Sequence, residues 1–297
     1  MSRMQRLSRL PESFRNASPN SWAKERRNGA SCDSFLEGAC IDSSGAFWCV
    51  DIANGRILKL TMPNDWSVVH EYEGWPTGMK LRGNGSLLIA DNRLGLLQIE
   101  PRTGGMTVLV DSFDGAPLNG LNDIVLSLSG DVYFTDQGES DLTHPFGRVF
   151  RYSAQGKIEL IASGLPSPNG LALAPGENML YVAMTQANAI WRVMLRPDGS
   201  VGKTGHAIQL SGSLGGGPDG IAFDAASNLY VCHALAGCVR VFDRFGEPIE
   251  RIDTSEGSIP TNLVLGGLGG NTLYVTEAET GTVQVHQLSS VNTGRAP

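Results

Sequence analysis

Short apolar runs separated by Gly, Asn, Asp and Ser recur along the chain, and six segments repeat one order of strand, turn, strand, turn, strand. They open at Leu36-Glu37-Gly38, Pro76-Thr77-Gly78, Leu121-Asn122-Asp123, Pro168-Asn169-Gly170, Pro218-Asp219-Gly220 and Pro260-Thr261-Asn262. Each continues through a few mostly apolar residues and a turn into an aromatic or aliphatic second strand, at 47–50, 87–90, 132–135, 180–183, 229–232 and 273–276. Third strands alternate in polarity, as in 147–152 and 237–242, which suits sheets packed between neighbouring sheets. Fainter fourth strands fall at 67–70, 106–110, 158–161, 207–210 and 248–252. The middle residues of the six openings are 40, 45, 47, 50 and 42 positions apart. A repeat of about 45 residues with several short strands predicts an all-β fold, a six-bladed β-propeller. No segment of ten or more residues carries a helical period, which disfavours a doubly wound α/β fold.

The repeats run from about residue 36 to 288, giving an expected N-terminal extension over 1–30 and one propeller over 31–297. The sixth repeat shows three strands after Thr261, so the extension is expected to pack on the ring or to close it with the missing strand. It is basic: Arg3, Arg6, Arg9, Arg15, Lys24, Arg26 and Arg27 face only Glu12 and Glu25. It lacks an apolar h-region, which argues against a secretory signal, and an Arg- and Ser-rich transit peptide is the alternative to a strap. With 23 basic and 30 acidic residues overall, neither nucleic acid nor an anionic membrane is the expected partner. No run approaches the ~20 apolar residues of a membrane span. Cys32, Cys40, Cys49, Cys232 and Cys238 lack paired spacing and predict free, buried thiols in a reducing, cytoplasmic setting. Cys232 and Cys238 flank a hairpin and are the pair placed to face one another.

In a propeller the first strand of each blade lines the central channel, so one repeat position becomes a ring around the axis. That position holds Glu37, Thr77, Asn122, Asn169, Asp219 and Thr261. A purely structural position would repeat one residue type, and turn chemistry alone would explain any single Asn-Gly or Asp-Gly pair. Four oxygen-bearing side chains in one register, Glu37, Asn122, Asn169 and Asp219, instead suit one hard divalent cation, Ca²⁺ foremost, with Mg²⁺, Mn²⁺ or Zn²⁺ as alternatives. Two carboxylates alone in a narrow channel would repel, and a cation removes that conflict. Thr77 and Thr261 are expected to line the channel as hydroxyls and to contact substrate at most.

Fourteen residues after Glu37, Thr77, Asn122 and Asp219 stand Asp51, Asp91, Asp136 and His233, with Met184 and Glu277 at the comparable places in the other two repeats. These end the second strands on the face that carries the ring. They either cap turns or, for Asp136 and His233, contact substrate at the rim. The loop 136–147 exceeds ordinary hairpin length and is the candidate lid or specificity loop. The five histidines show no zinc spacing, there is no G-x-S-x-G elbow, and Gly215-Gly216-Gly217-Pro218 leads into a strand rather than a helix.

Leu36-Glu37-Gly38, Asn122-Asp123-Ile124-Val125, Tyr133-Phe134-Thr135-Asp136, Pro168-Asn169-Gly170-Leu171-Ala172 and Pro218-Asp219-Gly220-Ile221-Ala222, in this order and spacing, resemble the SMP-30/gluconolactonase/LRE-like family. The resemblance covers about residues 30–288. It implies a six-bladed propeller with one catalytic divalent metal on the axis, held at Glu37, Asn169 and Asp219, with Asn122 a further ligand or substrate contact and Asp219 the general base. It implies a lactonase acting on a sugar lactone or related small lactone, without an organic cofactor, as a monomer or homodimer. The sequence departs from that pattern at Gly120, where relatives acting on sugar lactones often carry Arg, and at Ala39-Cys40-Ile41, where Pro-x-Trp is common. The alternatives on the same scaffold are a phosphotriesterase-like hydrolase, a non-catalytic propeller with a structural ion, and a strictosidine-synthase-like condensing enzyme.

Overall fold

The computed structural model describes residues 2–16, 18, 20–197, 200–212 and 215–288. They form six antiparallel sheets arranged as propeller blades. Blade one pairs Leu36–Ile41, Phe47–Asp51, Arg56–Thr61 and Asp65–Glu71 in order from the channel outward. Blades two to five follow the same order from their inner strands Pro76–Leu81, Leu121–Leu126, Pro168–Leu173 and Pro218–Phe223. Blade six contributes Pro260–Gly266, Thr272–Glu277 and Thr282–Gln287, and its outer strand is the N-terminal Gln5–Arg9, antiparallel to Thr282–Gln287. Ser2–Arg3 adds a fifth, parallel strand to blade five beside Pro248–Asp253. The expected ring closure is therefore made by residues 2–9.

Each seam between blades carries one apolar cluster, so the core is six radial layers rather than one centre. The layer between blades one and two includes Trp48, Ile57, Met79 and Ile89. The layer between blades five and six takes in Met4, and that between blades six and one takes in Leu10. The N-terminal segment thus fills two seams as well as finishing a sheet. Threonine hydroxyls stitch the inner strands together by donating to a carbonyl of the next blade: Thr77 to Leu121, Thr135 to Asn169, Thr185 to Pro218 and Thr261 to Leu36.

One short helix, Ser21–Arg26, precedes blade one and escapes the sequence pattern because six residues are too few to show a period. Asn20 caps it, its side chain accepting from the Ala23 N–H at 2.7 Å. Its Ser21 hydroxyl accepts from the Trp75 indole at 3.1 Å, and Arg26 donates to Asn92 at 3.0 Å. Both partners lie in loops on the face where the inner strands begin, so the helix rests on that face. All five cysteines are free and buried, and no disulfide joins Cys232 to Cys238.

Candidate functional site

In every blade the pairing of first and second strand shifts register at the ring position, between Glu37/Cys40, Pro76/Gly78, Leu121/Ile124, Pro168/Leu171, Pro218/Ile221 and Pro260/Leu263. A bulge of this kind bends the strand and re-aims the side chains around it. The bulges leave Thr77, Asn122, Asn169, Asp219 and Thr261 out of the ladder, whereas Glu37 stays paired with Val50 and the irregularity of blade one falls on Gly38 and Ala39. Gly38 adopts φ +59°, and a Cβ there would meet the Met79 nitrogen at 3.1 Å, so adjacent inner strands approach closely.

Glu37, Asn169 and Asp219 are all buried, at 6%, 7% and 9% exposure, which is deep for carboxylates without a basic partner. The Asn169 side chain hydrogen-bonds to the Asp219 carboxylate. Asp219 Oδ1 is nevertheless buried without a hydrogen-bond partner among the described residues. Glu37 accepts from its neighbour Gly38 N–H at 3.2 Å and from the Asn262 side chain. Burial foremost, then the charge of Asp219 and that of Asp123, push the Glu37 carboxyl well above the usual carboxylate range. Burial and then Asp123 do the same to Asp219.

Asp123 and Asn262 lie outside the ring register that the sequence marks. They occupy the position just after the ring, where the other four blades have Gly38, Gly78, Gly170 and Gly220. Blades three and six are diametrically opposed, and the two side chains meet across the channel, Asn262 Nδ2 lying 3.5 Å from Asp123 Oδ2. Four glycines where a side chain would collide with the next strand make room for two polar groups on the axis. A Cβ on Gly220 would sit 2.7 Å from the Asn262 Cα. The signal was present as the exception to a glycine repeat.

The donor set suits a hard cation. An orphaned buried carboxylate oxygen, a second carboxylate strained by like charge, and neutral amides beside them are what a divalent ion would relieve. Among the described residues no three His, Cys, Asp or Glu side chains converge as a ligand group. The set therefore depends on amide oxygens. Asn122 points its Nδ2 at Gln137 Oε1, 3.0 Å away, which leaves its Oδ1 as the atom available to a ligand or substrate. Gln137 in turn donates to Ser167 at 2.8 Å, so the first residue of the long blade-three loop steadies Asn122.

The remaining expected contacts are placed differently. Thr77 and Thr261 spend their hydroxyls on the interblade stitches and on carbonyls of their own blades, Ala90 and Thr276. Asp136 is fully buried, accepts from the Gly120 N–H at 2.8 Å and pairs with Arg148 at 2.6 Å. His233 is fully buried between Asn188 at 3.0 Å and the Arg240 guanidinium at 3.1 Å. Burial, then Arg240, depress its pKa to about 4, so it is neutral near pH 7. Asp136 and His233, expected as substrate contacts, have no exposed surface and are held by these partners at the rim. Asp51, Asp91 and Glu277 are held likewise, accepting from backbone N–H groups of Phe35, Leu94 and Ile259. The departure at Gly120 also has a cause: φ is +135°, and a Cβ would meet the Asn92 amide at 2.8 Å.

Residues 35–279 match the pattern of the SMP-30/gluconolactonase/LRE-like region. The chain belongs to this family. Within the SMP-30/gluconolactonase/LRE-like family, a curated gluconolactonase of Zymomonas mobilis is 32% identical over 67% of this chain and 59% of its own length. The chain thus spans about three-fifths of that relative. Lactonase drp35 of Staphylococcus aureus is 29% identical over 73% of this chain and 69% of its own. Among solved structures, a gluconolactonase from Xanthomonas campestris superposes with TM-score 0.76 at 21% identity, covering 95% of this chain and 98% of that one. A calcium-binding regucalcin from Agrobacterium tumefaciens gives 0.74 at 22% identity, with 94% of each chain covered. At these identities the two structures establish the shared propeller fold.

Proposed function

We propose that the protein is a metal-dependent lactonase whose centre is formed by Glu37, Asn169 and Asp219, with Asn122 as fourth ligand or substrate contact. The observation that carries this reading is the buried Oδ1 of Asp219, without a partner among the described residues, beside a second buried carboxylate at the same height in the channel. The names of the gluconolactonase and lactonase relatives support the choice of lactone over other esters. A divalent cation, foremost Ca²⁺, would polarise the lactone carbonyl and stabilise the charge developing on its oxygen.

The chain's own groups supply the rest. Asp219 accepts the proton of the attacking water, and the Asn169 amide holds its carboxylate in place. Asn122, fixed by Gln137, presents an amide oxygen beside the reacting centre. Glu37 balances charge and, with Asn169, fixes the position of the ion. The ring-opened product is a hydroxy acid, and its new carboxylate is repelled by Glu37, Asp219 and Asp123, which favours release.

Asp219→Asn is expected to lose nearly all lactone hydrolysis while keeping its far-ultraviolet circular dichroism and thermal transition. The assay runs a lactone panel on metal-stripped protein re-supplied with single divalent ions, beside a fluorophosphate substrate. Wild-type lactone turnover in the variant, or turnover of the fluorophosphate alone, would overturn the assignment.

A further inference from the structure

The channel has a second chamber at its other end. Beyond the ring, past the Asp123–Asn262 contact, a cavity of about 390 Å³ opens among the last residues of the inner strands. That volume falls within the range of small-molecule sites. Apart from Lys80, the side chains that line it are aliphatic, aromatic or cysteine, while nearly half of the wall's exposed surface is polar. Ile41, Leu81, Val125, Leu173, Phe223 and Leu265 line it, each only partly covered. Apolar surface left in contact with water in a concave wall is surface that an apolar ligand can dehydrate with gain.

One lining position breaks the pattern. Three residues after each ring residue the chain carries Cys40, Lys80, Val125, Ala172, Ala222 and Val264. Lys80 is the one charged residue of the chamber wall. Asp123, deeper on the axis, feels the Lys80 charge, yet no carboxylate among the described residues is in ion-pair contact with it. A half-buried ammonium in an apolar wall, without a direct counter-ion, asks for an anion. Lys80 is the charged exception at a position that is uncharged in the other five blades, and it lines the chamber.

We propose that this lower chamber is a second binding site, separate from Glu37 and Asp219, for a hydrophobic monocarboxylate. Its carboxylate pairs with Lys80, and its hydrocarbon chain lies among Leu81, Val125, Leu173 and Phe223. A sugar acid or inorganic phosphate would leave the apolar wall wet. An uncharged lipid would bury Lys80 without a partner. Only a ligand with both parts satisfies the whole chamber.

The test is calorimetric titration of sodium octanoate into the full-length protein, with octanol as the uncharged comparison. Wild type is expected to bind octanoate saturably at one site and more tightly than octanol. Lys80→Met is expected to weaken octanoate by about tenfold or more, which corresponds to about 1.4 kcal/mol. Ala222→Phe keeps the lysine but fills the chamber, and should abolish binding, so the site stays testable if Lys80→Met fails to fold. Asp219→Asn should bind octanoate like wild type. Absence of saturable binding in wild type, unchanged binding in folded Lys80→Met or in Ala222→Phe, or loss of binding in Asp219→Asn would overturn the proposal.

Discussion

At the scale of single residues, what separates ligand candidates from wall is whether a polar atom already has a partner. Thr77 donates to Leu121 and Ala90 carbonyls, and Thr261 to those of Leu36 and Thr276. Asp219 Oδ1 has none among the described residues. All three were visible in the sequence as members of one register, but their hydrogen bonds were not, because a threonine looks the same whether it faces substrate or a neighbouring carbonyl. Asp136 and His233 posed the same ambiguity at the rim. Asp123 and Asn262 were legible only by comparing the glycine position next to the ring, where Cβ clashes forbid a side chain in the other blades. The stitching role makes a measurable claim. Thr77→Val removes a buried donor while roughly keeping shape, so it should lower stability by about 1–2 kcal/mol in chemical denaturation. Its lactone turnover should stay within about twofold of wild type, a change worth less than ~0.5 kcal/mol in barrier height. A large loss of turnover at unchanged stability would return Thr77 to the substrate site.

At the scale of elements, strands were readable from alternation and turn residues, and even the closing strand was foreseeable from the three-stranded sixth repeat. The six bulges were not, since register is a property of two strands and the sequence shows one at a time. Nor was the helix Ser21–Arg26, whose Arg26 reaches both Asn92 and Glu139 and so ties the N-terminal segment to the long blade-three loop. Arg26 and Arg93 also approach the Trp75 ring, at 5.4 and 5.1 Å. The strap is predicted to bear weight in the fold. Leu10 is 1% exposed within the seam between blades six and one. Leu10→Ala should therefore destabilise by about 2–5 kcal/mol, read as a shift of the denaturation midpoint. A shift near zero would mean that the seam closes without the strap.

For the whole molecule, symmetry builds a scaffold and exceptions to symmetry carry chemistry. The electrostatic consequence concerns metal removal. In the ion-free protein the carboxyls of Glu37, Asp123 and Asp219 all titrate above their ordinary range, chiefly through burial. A carboxyl whose folded pKa lies above its unfolded value contributes stability below the unfolded pKa, and that contribution is lost as pH rises through the folded pKa. Chelated protein should therefore lose stability as pH climbs from about 4 toward neutrality. A bound divalent ion should offset that loss by keeping the carboxylates charged and compensated. The gap in Tm between metal-loaded and chelated protein is expected to widen between pH 5 and pH 8, measured by calorimetry. A gap that narrowed with rising pH would place the ion elsewhere than among these carboxylates.

The strand that finishes blade six also sets a timetable. Gln5–Arg9 is made before any of the blades, whereas its partner Thr282–Gln287 is made after five of them. For that whole interval the strap has no sheet to join, and the seam that buries Leu10 has no second wall. Blades one to five can form in sequence, but the circle locks only when the ring's first strand meets its last, a pairing of high contact order and correspondingly slow closure.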